Sequence, residues 1–76
     1  MAPIRYTNES HPWHPHLKVW VDQIMECILP LCEGVPQASA QIVETREHIQ
    51  FALQVEWYDS LLHEVLAESF TYEHDK

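Results

Sequence analysis

The chain has 76 residues, of which 46% are hydrophobic, and a formal net charge of −8. A chain of this length forms one small domain, whose single core rarely contributes more than about 3–5 kcal/mol to stability. Twelve acidic residues against four basic ones argue against direct binding to nucleic acid or to a membrane surface, because both need cations facing phosphate groups. The apolar fraction exceeds what so short a chain can bury, which indicates a surface that another protein covers.

The N-terminal segment, residues 1–11, shows no regular apolar spacing and is predicted to form an extended arm. It lacks the apolar centre of a signal peptide, and no run in the chain is long enough to span a bilayer, so we expect a cytoplasmic protein. Cys27 and Cys32 lack the two-residue spacing of redox and zinc sites. We expect both to be reduced thiols that are buried as small hydrophobic side chains.

A first amphipathic helix is predicted over residues 15–33. Pro15 suits the first turn of a helix, and Pro30 should kink or end the helix near its C-terminus. Gly34 then stops it. The apolar residues of this segment recur at helical spacing and share one face. They are Leu17, Trp20, Val21, Ile24, Cys27, Ile28 and Leu31.

A second helix is predicted over residues 36–70, because no Gly or Pro interrupts that stretch after its start. At roughly 100° per residue it has two apolar sides, one around Ile42 and Leu53 and the other around Phe51 and Val55. We therefore predict an all-α fold, a helical hairpin whose long helix packs the short helix on one side and a second copy on the other. Two such hairpins form a dimeric four-helix bundle. Residues 71–76 are predicted to be a frayed tail.

A break in the long helix is the alternative to a continuous one. Asp59 and Ser60 are good N-cap residues, so a third helix beginning there would fold back on the others. The continuous helix is preferred, because nothing forces a break and the first helix is too short to cover both apolar sides.

Three closely spaced histidines, His11, His14 and His16, are the candidate metal site. Imidazoles are ligands for Zn, Ni and Cu, and Glu44 with His48 could add further ligands. The prolines between the three histidines limit their convergence, however, and their spacing matches no standard metal site. We therefore expect histidines that cap, stack or stay solvated, and we predict no cofactor.

No catalytic motif is present in the chain. A single glycine cannot build a phosphate-binding loop or a nucleophile elbow. Cys27 lies on the apolar stripe of an acidic protein, without the electropositive surroundings that activate a thiol. We expect that the chain is not an enzyme.

The predicted function is that of a small acidic interaction module, such as an adaptor, an inhibitor or a regulatory subunit. Its partner is another protein, with a homodimer expected as well, and its acidic flank would steer it to a basic partner or mimic a nucleic acid in a basic cleft. The alternative is a transition-metal-binding or metal-sensing protein that uses the three histidines. The predicted partner-binding residues are Phe51, Val55, Trp57, Tyr58, Leu62, Val65, Glu64 and Glu68.

Overall fold

The computed structural model describes residues 4–76 and shows a four-stranded mixed β-sheet with one α-helix packed on it. The elements in chain order are β1 (Ile4–Tyr6), α1 (His14–Ile28), a 3-10 turn (Leu29–Leu31), β2 (Gln37–Glu44), β3 (His48–Asp59) and β4 (Glu64–Asp75). The strands lie in the order β1-β2-β3-β4. β1 is parallel to β2 and joined to it through α1, whereas β2, β3 and β4 form an antiparallel meander.

The predicted all-α helical hairpin, and with it the dimeric four-helix bundle, is wrong. The segment 36–70, predicted as one long helix, contains β2, β3 and the first half of β4. The alternative of a third helix beginning near Asp59 is wrong as well, because Asp59 ends a strand and the next element is another strand.

The alternation of buried and less buried side chains explains why part of the segment 36–70 forms strands. In β3 the buried side chains are two residues apart, at Ile49, Phe51, Leu53 and Val55. A strand places such residues on one face and the intervening ones on the other. Read at about 100° per residue, the same positions fall into two groups on opposite sides of a helix, Ile49 with Leu53 and Phe51 with Val55. That is why the predicted helix was apolar on both sides.

Polar side chains, rather than glycine, form the two hairpin turns. Between β2 and β3, the Thr45 N–H and hydroxyl both donate to the His48 carbonyl, at 2.9 and 3.1 Å. Between β3 and β4, Asp59 Oδ1 accepts hydrogen bonds from the N–H groups of Leu61 and Leu62, at 2.9 and 3.1 Å. Asp and Thr side chains commonly initiate turns in this way. A stretch without Gly or Pro therefore did not require a continuous helix.

The helix α1 overlaps the predicted first helix, 15–33, but ends earlier. Pro15 lies in its first turn, and the α-helical part ends at Ile28, where a 3-10 turn containing Pro30 follows. Pro30 has no N–H with which to continue the helical hydrogen bonds. Gly34 has a φ of 80°, a left-handed conformation that glycine adopts without steric cost, and the chain then turns into β2.

The core lies between α1 and one face of β2 and β3. The helix contributes residues three or four apart, and the strands contribute alternate residues. The buried residues are Leu17, Val21, Met25 and Ile28 from α1, Ala38, Ala40 and Ile42 from β2, and Ile49, Phe51, Leu53 and Val55 from β3. Within residues 4–76, no side chain of β4 belongs to this fully buried set.

Both ends of the described chain are ordered strands. Of the predicted arm, residues 1–3 lie outside the described residues, and Ile4–Tyr6 form β1. The predicted frayed tail is wrong, because Thr71 to Asp75 continue β4. No helix in residues 4–76 has both the length and the apolar character needed to cross a membrane.

Candidate interaction surface

Strand β4 is the least covered element of the sheet. None of its twelve residues is buried, and only Leu66 and Phe70 are half-buried. The helix packs over β2 and β3, so that β4 lies beside the helix rather than beneath it. Its even-numbered side chains share the face of α1, since Phe51 of the core pairs with Tyr72.

Within residues 4–76, the outer edge of β4 carries backbone groups without a neighbouring strand. The Lys76 N–H donates to the Glu47 carbonyl at 3.0 Å, so the backbone of Lys76 faces the β3 side. Backbone groups of a strand alternate between its two sides, and the even-numbered residues of β4 therefore bond to β3. The N–H and C=O groups that point outward belong to Val65, Ala67, Ser69, Thr71, Glu73 and Asp75.

The turn between β3 and β4 lies next to the segment that follows α1, and both expose apolar side chains at one end of the molecule. The Glu33 carboxylate Oε2 accepts a hydrogen bond from the Ser60 N–H at 3.2 Å, which ties these two segments together. We call this surface the apolar tip. Its exposed side chains are Leu29, Leu31, Val35, Tyr58, Leu61, Leu62 and Val65. Elsewhere in residues 4–76 the exposed large hydrophobic side chains are Val19, Val43 and Tyr72.

A row of aromatic side chains marks the boundary between α1 and β4. The ring centroid of Trp20 lies 5.8 Å from that of Phe51 and 6.5 Å from that of Tyr72. Near the start of α1, the ring of Trp13 lies 5.0 Å from the imidazole of His74. Aromatic pairs at such distances contribute about 0.5–1.5 kcal/mol each. Tyr72 is nevertheless 46% exposed, so the row is open on the β4 side.

The charge along β4 is almost entirely negative. Glu64 and Glu68 lie on the face of α1, and Glu73 and Asp75 lie on the opposite face. In residues 4–76 neither Glu64 nor Glu68 forms a salt bridge. Asp75 lies 3.6 Å from the His48 imidazole. Few of the carboxylates on β4 are therefore paired with a cationic side chain of the described residues.

The predicted partner-binding residues divide between the core and this surface. Phe51 is 3% exposed and Val55 is 0% exposed, so both side chains lie in the core. Trp57 packs half-buried against the margin of the core. The exposed ones are Tyr58, Leu62 and Val65 in the apolar tip, with Glu64 and Glu68 on β4.

Sequence reasoning missed the other half of the apolar tip. Leu31 belongs to the apolar stripe of the predicted first helix, but it is 72% exposed because the α-helix ends at Ile28. Leu61 directly follows Asp59 and Ser60. The turn signal of those two residues could have marked Leu61 as a loop residue.

The structure does not bring the three candidate metal-binding histidines together as a ligand set. His11 accepts a hydrogen bond from the Trp13 N–H at Nδ1, at 3.0 Å, so its Nε2 carries the proton and donates to the Glu44 carboxylate at 2.7 Å. The ring of His14 packs edge-on against Tyr6 at 5.1 Å, and its Nδ1 is buried without a hydrogen-bond partner. His16 lies against Trp13. Residues 4–76 contain no group of three or more His, Cys, Asp or Glu side chains placed to hold a metal ion.

Glu44 joins three parts of the chain at the end opposite the apolar tip. Its carboxylate accepts hydrogen bonds from Lys76 Nζ and from His11 Nε2, each at 2.7 Å. The hydrogen bond from Lys76, followed by that from His11, lowers the pKa of the Glu44 carboxyl below its ordinary value. We call Glu44, Lys76 and His11 the polar clasp. It is exposed, and it ties the C-terminal residue and the segment before α1 to the end of β2.

The two cysteines are free thiols in different surroundings. Cys27 is exposed, contrary to the buried position expected for it, whereas Cys32 is half-buried. The Cys32 thiol donates to the Ile28 carbonyl at 3.4 Å, and desolvation raises the pKa of this thiol. A raised pKa reduces the thiolate fraction and so disfavours nucleophilic chemistry at Cys32.

A depression of about 570 Å³ lies on the sheet face opposite α1. Its lining combines amide, hydroxyl and small side chains with one cation, Arg5, and one carboxylate, Glu56. No imidazole or thiol is among these lining residues.

The sequence matches no protein-family model, and comparison with curated proteins and with solved structures likewise gives no match.

Proposed function

We propose that this chain is an acidic protein-interaction module, of the adaptor, inhibitor or regulatory-subunit kind, that docks a protein partner through the apolar tip and β4. The observation that carries the proposal is the concentration of exposed large hydrophobic side chains at the apolar tip. Leu61 is 88% exposed and Leu31 is 72% exposed. Single exposed apolar residues are ordinary, but several of them gathered at one end of a chain beside carboxylates are typical of interaction surfaces.

The free energies of side-chain burial and of association favour a contact surface larger than the apolar tip alone. Complete burial of a Leu or Val side chain contributes about 1.5–3 kcal/mol. Association costs about 4–15 kcal/mol in lost translational and rotational freedom and in ordering of side chains. A few partly covered leucines would therefore give weak binding, and a partner that also contacts β4 would bind more tightly.

The charge of the surface selects the class of partner. Glu33 and Asp59 lie beside the apolar tip, and Glu64 and Glu68 continue along β4. Carboxylates around an apolar centre accelerate encounter with a basic surface and exclude acidic ones. An inhibitor that occupies a basic, nucleic-acid-binding cleft is one member of this class, and its affinity would fall steeply with salt concentration.

A second copy of the chain is a less favourable partner than a basic protein. Each copy carries a formal charge of −8, so two copies repel one another before they make contact. The homodimer expected from the sequence relied on a helical face that residues 36–70 do not form. It stays a prediction, and the mass of the intact protein in solution decides it.

Site-specific photo-crosslinking tests the proposed function. A photoreactive amino acid at Leu61, in the cells that produce this protein, is expected to give a discrete crosslinked partner. Val43, 40% exposed and far from the apolar tip, is the matched control position and should give no such product. Equal crosslinking at both positions, or none at Leu61, would contradict the proposal.

A further inference from the structure

We propose that the outer edge of β4 binds an extended, basic segment of the partner as a fifth strand of the sheet. This inference rests on the proposed function and specifies how the partner docks. A strand added to an exposed sheet edge gains affinity from backbone hydrogen bonds and specificity from alternate side chains. The structure shows a free edge, two different side-chain faces and a single sign of charge along β4.

The free edge of β4 is long enough to hold such a strand. It extends over twelve residues, Glu64–Asp75, and its outward N–H and C=O groups recur at every odd-numbered position from Val65 onward. The other edge of the sheet, β1, has only three residues in the described chain. An added strand therefore has most to gain at β4, since each paired residue there offers both a donor and an acceptor.

The helix-side face of β4 favours long cationic side chains on the added strand. Glu64 and Glu68 stand on this face with Phe70 and Tyr72, and the ring of Trp20 from α1 lies 6.5 Å from that of Tyr72. Lys and Arg side chains lay their apolar stems along such aromatic rings and place the charge near carboxylates. The opposite face differs, because its side chains at the centre of the strand are small. They are Ala67, Ser69 and Thr71.

The chemistry of the partner strand follows from these two faces. Lys or Arg at alternate positions would face Glu64 and Glu68, and β-branched residues between them would pack against the small side chains of the other face. A second copy of β4 would instead bring its own carboxylates to the seam. Charged side chains on an edge strand discourage pairing with like strands. The edge is therefore selective for a cationic strand.

The direct test uses a defined peptide and the intact protein. The peptide has twelve residues, to match β4, and consists of repeats of Lys-Val-Lys-Thr with blocked ends. We expect saturable binding by calorimetry, weakened at least about tenfold when the ionic strength is raised from about 0.05 to 0.5 M, because the Debye length falls below the spacing of the charges. A peptide with Glu for Lys should not bind. A peptide with Pro for Val keeps the charge but cannot form a strand, and it should bind at least about tenfold more weakly, as expected for the loss of about two hydrogen bonds.

Substitution of Ser69 separates strand pairing from simple charge attraction. The Ser69 N–H points outward, so Ser69→Pro removes a donor to the added strand without removing a bond to β3. We expect Ser69→Pro to keep its circular dichroism spectrum and to lose about two- to tenfold in peptide affinity, as for one hydrogen bond. Ser69→Thr, which keeps the N–H, is the matched control and should bind like the original protein.

A measurement on the unmodified protein covers the case in which Ser69→Pro does not fold. Amide exchange by NMR should show Ala67, Ser69 and Thr71 becoming protected when the Lys-containing peptide is added. Equal affinity for the Pro-containing peptide, unchanged exchange at these amides, or a peptide-free dimer with all of them protected would each overturn the added strand. A crosslink at Leu61 would survive those results, so failure of this inference differs from failure of the proposed function.

Discussion

Strands β3 and β4 are neighbours of equal length, yet one forms the core and the other is exposed. Each has twelve residues, and they pair along their whole length. Leu53 and Val55 in β3 are 0% exposed, whereas no residue of β4 is buried. Leu53 is paired directly with Phe70, which is only half-buried. Position relative to α1, rather than apolar character alone, decides which side chains are covered.

The dimensions of one helix explain the difference. α1 has 15 residues and is therefore about 22 Å long and about 10 Å wide. Strands lie about 4.8 Å apart and rise about 3.3 Å per residue, so one helix covers roughly two strands over about half the length of β3 and β4. The described chain measures 44 Å along its longest axis. What α1 cannot reach is β4 and the apolar tip, and these are the surfaces that we assign to a partner.

The largest effect on stability is expected in β3, the buried strand. Leu53→Ala should lower the free energy of unfolding by about 2–5 kcal/mol, because it leaves a cavity in the core. Leu66→Ala on the half-buried side of β4 should cost about 1 kcal/mol or less. Urea denaturation of both variants measures the two values. Equal losses of stability in the two variants would mean that β4 is buried to the same extent as β3.

The turn that joins the two strands gives the next largest effect. Asp59→Ala removes the acceptor of the Leu61 and Leu62 N–H groups and should cost about 1 kcal/mol, as for the loss of a helix N-cap. Asp59→Asn keeps an acceptor oxygen and should cost less. The same denaturation experiment distinguishes them, and an Asp59→Ala protein as stable as the original would show that the turn does not depend on this side chain.

The polar clasp of Glu44 predicts a dependence on pH. Its pKa is lowered in the folded protein, chiefly by the hydrogen bond from Lys76. The clasp therefore adds stability above the ordinary pKa of 4.5, and this contribution disappears as the pH falls through the lower folded value. The difference in stability between the original protein and Glu44→Gln should shrink as the pH is lowered through that range. A difference that stays constant with pH would contradict this assignment.

The smallest effect on stability is expected at the apolar tip. Leu61→Ser, alone or with Leu62→Ser, should change the free energy of unfolding by no more than about 0.5 kcal/mol, because these side chains are already in solvent. With the photoreactive amino acid kept at position 61, Leu62→Ser should strongly reduce the crosslink to the partner. Val43→Ser is the matched control and should leave the crosslink intact. A large loss of stability in Leu61→Ser would instead place Leu61 in the core.

The sequence was sufficient to find α1 but not the sheet. Leu17, Val21 and Ile28 recur at helical spacing, and Pro30 with Gly34 marks the end of the helix, so local patterns agree with the fold there. Along β3, however, the apolar set at odd positions, interrupted by Gln50 and Gln54, has the period of two that indicates a strand. The lack of glycine favours a continuous helix, but it does not exclude strands here, because polar side chains form both hairpin turns.

The candidate surface was predictable only in part. Tyr58, Leu62 and Val65 were predicted as partner-binding residues and are exposed in the structure. The exposure of Leu29 and Val35 could not be read from the sequence, because it depends on where the hairpin turn lies relative to the end of α1. Phe51 and Val55 show the reverse, since apolar character alone does not distinguish a core side chain from an interface one.

Residue-by-residue amide exchange of the free protein tests the open edge of β4 most directly. We expect alternation along the strand, with slow exchange at even positions such as Phe70 and Tyr72, which bond to β3, and fast exchange at odd positions such as Ser69 and Thr71. Slow exchange at both sets would show that a second copy already covers the edge or that the segment is helical. Fast exchange at both sets would show that β4 does not pair stably with β3.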